Sequence, residues 1–240
     1  MAGFEDNLKR LEVIAEGLGH LAGDSIFIGG ACTQFYVEDP SLHDFRPTND
    51  IDCIVKVYSY KEFDVYSEEL RKLGFAHDTS EAAPIVRWIY KGILVDIIPD
   101  ESSVVGYRNI EWFREGRKHA EKRKLPSGKV IRILPLAYFM ATKLESWADR
   151  GGGDFLASKD LEDIIGIIDC KDNLEELLQA PENVRNYVIE RFSHLIHDEN
   201  FKRSIAGHLG FDSTAAERAN NVAQRIAGVV DKSAGLDRVQ

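Results

Sequence analysis

The segment that decides the predicted fold is Asp50–Val57, with the sequence DIDCIVKV. If it forms a β-strand, alternation places Ile51 and Cys53 on one face and Asp50 and Asp52 on the other. The two carboxylates then point the same way, with Cβ atoms about 7 Å apart, or two rises of the strand. This separation allows both to hold divalent cations between them. The segment therefore predicts a half-buried strand that carries an acidic pair.

Upstream of this strand, Ser25–Gly30 has the sequence SIFIGG, a short apolar run that ends in a glycine pair. The pattern predicts a strand followed by a tight turn, with a helix over Cys32–Val37. Because Gly29 and Gly30 have no side chains, their backbone can approach a triphosphate closely and present N–H groups to it.

Downstream, the apolar run Gly92–Ile98 contains a third carboxylate, Asp96. An acid in such a run is costly to bury unless it has a partner or a metal ion. Pairing with Arg87 on an adjacent strand is the alternative interpretation. Three carboxylates from neighbouring strands would suit Mg²⁺, which prefers oxygen ligands and bridges to substrate phosphates.

The remaining pattern predicts an α/β (α+β) protein with two regions. An N-terminal α/β domain over residues 1–134 contains a mixed sheet, and a helical C-terminal domain covers residues 135–240. The predicted helices and further strands are an amphipathic N-terminal helix stopped at Gly19 or Gly23, helix Lys61–Gly74, strands Ile85–Tyr90 and Val130–Leu134, and helices Pro135–Asp149, Ser158–Asp169, Leu174–Leu178, Glu182–His197 and Thr214–Val230.

Composition excludes several classes of protein. The chain has 240 residues and a net charge of −10, which argues against coating nucleic acid with the whole surface. No apolar stretch approaches the roughly 20 residues that span a bilayer, and charges interrupt the N-terminus where a secretory signal needs an apolar core. Three cysteines without a CxxC pair predict reduced structural thiols. We therefore expect a cytoplasmic protein and no membrane partner.

One segment is strongly basic. From Arg108 to Arg132 there are nine Lys or Arg against three Glu, a net charge of +6. Such a run is most often a solvated face. With Tyr107, Trp112 and Phe113 interleaved, it is also what an RNA backbone and a stacked base would meet.

The order of these motifs resembles the GG…DxD…D signature of the polymerase-β-like nucleotidyltransferase superfamily. More narrowly, it resembles the AbiE-type nucleotidyltransferase toxins of abortive-infection and toxin–antitoxin systems. The gap between the glycine pair and the acidic pair is longer than usual, and Ala31 replaces the common Ser or Thr, with Thr33 as the candidate substitute. The motifs are IGG at 28–30, RPTNDID at 46–52, VD at 95–96, KLESWADR at 143–150 and SKDLED at 158–163.

The resemblance implies that residues 1–134 are a nucleotidyltransferase catalytic domain with a polymerase-β-like core. This domain would use Mg²⁺ or Mn²⁺ to transfer a nucleoside monophosphate from an NTP to an acceptor hydroxyl, with release of pyrophosphate. The toxin family further implies an RNA acceptor, most plausibly the 3′ end of tRNA, and a cognate antitoxin. The implied site residues are Asp50, Asp52 and Asp96 as metal ligands and catalytic groups, Lys143 and Asp160 as further catalytic groups, and Gly29, Gly30, Thr33, Arg46 and Lys143 as nucleotide ligands.

Other interpretations of these residues stay open. Lys143 lies on the apolar stripe of its predicted helix and could simply extend its amine to solvent. Asp160 and Asp163 fall in a first helical turn, where the helix dipole favours acids without any catalytic role. The acceptor could be a small molecule such as an aminoglycoside, or a protein hydroxyl. A chain that only binds nucleotide or a partner is the alternative outside enzymes.

Overall fold

The computed structural model describes residues 2–38, 43, 45–101, 104, 110–150, 153–210 and 213–236. Contacts divide the chain into two compact units. The first contains Met1–Phe35 and Arg46–Pro135, and the second contains Tyr36–Phe45 and Leu136–Gln240. No helix among the described residues is both long and apolar enough to cross a membrane.

Among the described residues, the first unit contains a mixed, seven-stranded sheet, which confirms the predicted α/β class. The strand order is β3-β4-β5-β2-β1-β7-β6. β2 pairs with β5 and β1 pairs with β7 in parallel, and the other neighbours are antiparallel. The strands are β1 Ile26–Ile28, β2 Asp50–Val55, β3 Ala76–His77, β4 Arg87–Tyr90, β5 Ile93–Pro99, β6 Glu121–Lys124 and β7 Val130–Ile133.

The central strand β2 has the predicted alternation. Ile51 and Cys53 are completely buried on one face, while Asp50 and Asp52 on the other face are half-buried. β2 lies between β1 and β5, so its backbone is hydrogen-bonded on both sides. The acidic pair is therefore carried by a strand that cannot shift without breaking two ladders.

Helices complete the first unit. They are α1 Ala2–Gly17, α2 Tyr60–Lys72 and α3 Ile110–Lys118, with 3₁₀ helices at Gly19–Gly23 and Gly30–Tyr36. α1 buries Leu11 and Ile14 completely, as its periodicity predicts. α2 begins after Ser59, whose side chain accepts a hydrogen bond from the backbone N–H of Glu62.

Three features of this unit differ from the prediction. The helix expected over Cys32–Val37 is a 3₁₀ helix, Gly30–Tyr36. The stretch predicted only as basic contains α3 and β6. These two elements were not predicted because the many charges of the stretch mask the few apolar residues that pack inward. The short strand β3 was also not predicted, since both of its residues are exposed and carry no apolar alternation.

The described part of the second unit is helical after Pro135. Glu182–His197 forms a helix with the predicted bounds, and the segment predicted as a helix over Leu174–Leu178 is a 3₁₀ helix, Glu175–Gln179. Helix Glu199–His208 was not predicted; it begins after Asp198, whose side chain accepts from two backbone N–H groups. The helices are α4 Leu136–Asp149, α5 Lys159–Asp169, α6 Glu182–His197, α7 Glu199–His208 and α8 Ala215–Leu236.

Candidate metal centre

Three carboxylates converge on one face of the sheet in the first unit. Asp52 lies directly opposite Asp96 in the β2–β5 pairing, and Asp50 lies two residues earlier on β2. One carboxylate oxygen from each of the three residues lies within 4.8 Å of the others. Asp96 is buried, while Asp50 and Asp52 are half-buried. The cluster could hold a metal ion, and its all-oxygen, anionic donor set suits Mg²⁺ or Mn²⁺.

The glycine turn after β1 lies against this cluster. Ile28 pairs with Asp52, which brings the following residue, Gly29, beside the carboxylate. A Cβ on Gly29 would lie only 2.1 Å from Asp52 Oδ2, and the residue has φ +76°. The position therefore needs glycine for space and for backbone conformation. Gly30 then begins the 3₁₀ helix.

Arg87 on β4 binds two of the three carboxylates. Its Nε donates to Asp96 Oδ1 at 2.8 Å, and its Nη2 donates to Asp96 Oδ2 at 2.7 Å and to Asp50 Oδ2 at 3.2 Å. The hydrogen bonds to Asp96 raise the pKa of Arg87 above its ordinary value, so the guanidinium stays charged. Asp96 therefore pairs with Arg87, as the alternative interpretation predicts, and it also belongs to the acidic cluster.

The segment that leads into β2 is fixed by α1. Asn7 is buried; its Oδ1 accepts from the backbone N–H of Thr48 at 2.9 Å and from Thr48 Oγ1 at 3.1 Å, and its Nδ2 donates to the carbonyl of Arg46 at 3.2 Å. Arg10 Nη1 donates to the carbonyl of Asn49 at 3.3 Å. Asn7 was not predicted as a site residue; it lies on the apolar stripe of α1, four residues before Leu11.

Thr33, which was predicted as a nucleotide ligand, forms a hydrogen bond to the glycine turn. Its side chain is buried, and its Oγ1 donates to the carbonyl of Gly30 at 2.8 Å. The hydroxyl therefore braces the glycine turn. Arg46, also predicted as a nucleotide ligand, is half-buried, and its carbonyl accepts the bond from Asn7.

The second unit brings Lys143 and Asp160 together. Lys143 is buried on α4, and its Nζ donates to Asp163 Oδ2 at 2.6 Å and to Asp160 Oδ1 at 3.2 Å on α5. Arg150 Nη1 donates to Asp160 Oδ2 at 2.5 Å. Ser158 caps the start of α5, where its Oγ accepts from the N–H of Leu161. The positive charges of Lys143 and Arg150 are thus paired with the carboxylates of Asp160 and Asp163.

The basic segment presents less free charge than its composition suggests. Arg117 is paired with buried Asp100, and Lys118 and Arg123 are paired with neighbouring glutamates. Trp112 and Phe113 are buried, so the expectation that they offer surfaces for base stacking is wrong. Tyr107 and Arg108 lie outside the described residues.

Two cations of the segment share the sheet face of the carboxylates. Lys122 on β6 lies opposite Arg132 on β7, and Arg132 lies opposite Ile26 on β1. Residues opposite one another point to the same face, and Ile26 lies on the same face as Ile28, the partner of Asp52. Arg132 is separated from Asp52 by two strand spacings across the sheet and by two residues along the strands, a Cα separation of about 12 Å.

No protein-family model matches this sequence, and no curated protein is significantly similar to it.

Proposed function

We propose that this chain is a Mg²⁺- or Mn²⁺-dependent nucleotidyltransferase with a polymerase-β-like core. The observation that carries the proposal is the convergence of Asp50, Asp52 and Asp96 beside the turn at Gly29. An ordinary surface cluster of acids would not need a glycine that leaves room for a carboxylate. The arrangement puts backbone that can approach a triphosphate next to oxygen ligands for the cation that accompanies it.

In the proposed reaction, the acceptor oxygen forms a bond to the α-phosphorus of the NTP, the bond to the pyrophosphate oxygen breaks, and the hydroxyl proton is lost. Asp50, Asp52 and Asp96 would hold the divalent cation, which when bound neutralises phosphate charge and favours the deprotonated acceptor. The backbone at Gly29 and Gly30 would contact the triphosphate. The chain contributes mainly positioning and charge, as in other phosphate-transfer sites.

For Lys143 and Asp160 we propose a phosphate-binding role within the second unit, with Lys143 as the ligand and Asp160 as the group that orients it. The support is their contact in the second unit, where Asp160 and Asp163 hold the Lys143 amine. To bind a phosphate, Lys143 must exchange at least one of these carboxylates for a phosphate oxygen. Lys143→Met is expected to raise the KM for the nucleotide.

The proposed acceptor is RNA, with the 3′ end of tRNA as the first candidate. Lys122 and Arg132 support it, because they place positive charge on the carboxylate face of the sheet. Replacement of Lys122 and Lys124, both exposed on β6, by Gln should weaken RNA labelling. Unchanged labelling would favour a small-molecule or protein acceptor. A cytoplasmic location and a cognate antitoxin belong to the same proposal.

A second candidate, from another functional class, is a module that binds nucleotide or a partner without catalysis. The observation that favours it is the occupation of Asp96 by Arg87, which gives the buried carboxylate a partner without any metal ion. Such a module would bind NTP and transfer nothing.

The test incubates the protein with Mg²⁺, total tRNA and each α-labelled NTP in turn. The test variant combines Asp50→Asn with Asp52→Asn. The control is Asp64→Asn, the same chemical change at an exposed residue of α2. We expect labelled tRNA from the wild type and from the control only. NTP binding without labelling of any RNA, protein or small-molecule acceptor would favour the binding module and contradict the transferase.

A further inference from the structure

A polar cleft with a volume of about 390 Å³ lies within the second unit. One wall is the segment Asp172–Glu175, which follows α5, and the other wall is a stripe of α8. The residues of this stripe recur at steps of three and four, so they share one face of the helix. They are Asn221, Gln224, Arg225, Gly228, Val229 and Lys232. A cleft of this volume accommodates a small molecule.

Arg225 is held in this wall by the end of α5. Its Nη1 donates to the carbonyls of Ile168 and Asp169, both at 2.9 Å. Within the part of the chain that the structure describes, Arg225 Nε and Nη2 have no hydrogen-bond partner. These two nitrogens form one edge of the guanidinium, and such an edge binds a carboxylate through two parallel hydrogen bonds. Arg225 is therefore fixed in place and retains donors for an anionic group.

The opposite wall contains a carboxylate that balances this charge. Among the described residues, Asp172 forms no ion pair, whereas the other acid of the wall, Glu175, is paired with Lys232. Asp172 lies three residues after Asp169, so their Cα atoms are at most about 11 Å apart. Because Arg225 holds the Asp169 carbonyl, the two unpaired charges lie in the same part of the cleft. A ligand that satisfies both must carry one negative and one positive group.

The remaining residues of the cleft provide amides and an apolar floor. Asn221 and Gln224 are exposed, while Leu174 and Val229 are almost completely buried. Gly228 keeps the space between them open, because a Cβ on this residue would meet nothing within 4 Å. The cleft therefore has room for an apolar group beside its charged groups.

We propose that this cleft binds a free α-amino acid with an apolar side chain. The ligand carboxylate binds the Nε–Nη2 edge of Arg225, the ammonium group binds Asp172, and the side chain lies over Gly228. The inference is independent of the proposed nucleotidyl transfer, because the cleft belongs to the second unit and shares no residue with the metal centre.

The test measures binding of L-leucine, L-valine and L-phenylalanine to this protein by isothermal titration calorimetry. We expect at least one of them to bind with a Kd below about 1 mM. The amide of that amino acid lacks the carboxylate, and its N-acetyl derivative lacks the ammonium group. Each derivative should bind at least tenfold more weakly, because it leaves Arg225 or Asp172 without its partner.

Two glycine variants locate the ligand. Gly228→Leu fills the cleft, and Gly235→Leu places the same side chain at another open position of α8, outside the cleft. Both changes replace glycine in a helix by a better helix former, so both variants are expected to fold. We expect Gly228→Leu to lose amino-acid binding and Gly235→Leu to keep it.

Three results would overturn the proposal. The first is that none of the three amino acids binds up to about 10 mM, which requires no variant. The second is unchanged binding to Gly228→Leu, since the ligand would then lie elsewhere. The third is equally tight binding of the amide or the N-acetyl derivative, since neither charged group of the ligand would then be recognised.

Discussion

Gly29 and Asp52 are packed so closely that no side chain fits between them. A Cβ on Gly29 would lie 2.1 Å from Asp52 Oδ2, well inside van der Waals contact, and the glycine has a φ of +76°. The contact links the glycine turn after β1 to the acidic pair of β2. It explains why a loop glycine and a strand aspartate, more than twenty residues apart, form one site.

Gly29→Ala is therefore expected to abolish divalent-cation binding and any nucleotidyl transfer. The new methyl group must push the Asp52 carboxylate away, and the positive φ adds about 1–2 kcal/mol of strain for an L-residue. Mn²⁺ binding and thermal unfolding of the variant measure the two effects separately.

Gly92→Ala is the matched control. Gly92 has nearly the same φ, +79°, but a Cβ there would meet nothing within 4 Å. This variant should lose only the strain energy and keep full Mn²⁺ binding. Equal loss of metal binding in both variants would show that Gly29 matters for backbone conformation alone.

Removal of one carboxylate tests the electrostatics of the cluster. Asp52→Asn should reduce transfer at least a thousandfold, because a neutral amide is a poor ligand for a divalent cation. Its free energy of unfolding in EDTA should change by less than about 1 kcal/mol, because Asp52 is half-buried and the amide keeps the size of the side chain. Chemical denaturation checks this, with Asp64→Asn as the reference. A clear loss of stability in EDTA would mean that Asp52 is mainly structural.

Much of the site could be predicted because its residues lie on strands with clear alternation. Period-two patterning in β2 placed Asp50 and Asp52 on one face, and an apolar run around Asp96 marked a second strand. The direct pairing of Asp52 with Asp96 could not be predicted, because strand register depends on which strands become neighbours. Arg87 was identified only as one alternative partner of Asp96.

The basic segment was the least predictable part, since composition does not show which charges are paired. Arg117 and Asp100 illustrate the reason, because their ion pair joins α3 to the residue after β5. Similarly, Trp112 and Phe113 are adjacent residues in a helix rich in charge. The sequence of this helix does not show whether the two side chains face solvent or the core. Both are buried, so the tertiary packing of α3 determines their environment.

The Arg117–Asp100 pair should contribute strongly to stability. Asp100 is completely buried; its Oδ2 accepts from Arg117 Nε at 2.6 Å, and its Oδ1 accepts from the N–H of Val57. Arg117→Met leaves a buried carboxylate without its counter-ion and should cost about 3–5 kcal/mol. Lys118→Met breaks only the exposed pair with Glu115 and should cost less than about 1 kcal/mol.

Urea denaturation of the two variants measures this difference, since both lose one positive charge from neighbouring positions of α3. Similar small losses for both would show that the buried pair is weak. In that case Arg117 would be available to contact an acceptor.

The cysteines should be unreactive in the folded protein. Cys32, Cys53 and Cys170 are all buried thiols. Burial also raises the pKa of Cys53 well above its ordinary value of 9.0, so the reactive thiolate is disfavoured. Ellman's reagent at pH 8 should label fewer than one thiol per native chain and three in guanidinium chloride. Rapid labelling of the native protein would contradict the packing around β2.

The central claim is that the carboxylate cluster supports transfer of a nucleoside monophosphate. The most direct measurement compares an NTP labelled at the α-phosphate with the same NTP labelled at the γ-phosphate. Parallel reactions contain tRNA, Mg²⁺ and the NTP labelled at either the α- or the γ-phosphate. The account predicts that the α-label enters tRNA, that the γ-label leaves in pyrophosphate, and that both events stop in Asp50→Asn combined with Asp52→Asn. Transfer of the γ-label to the acceptor, or α-labelling that persists in the double variant, would contradict it.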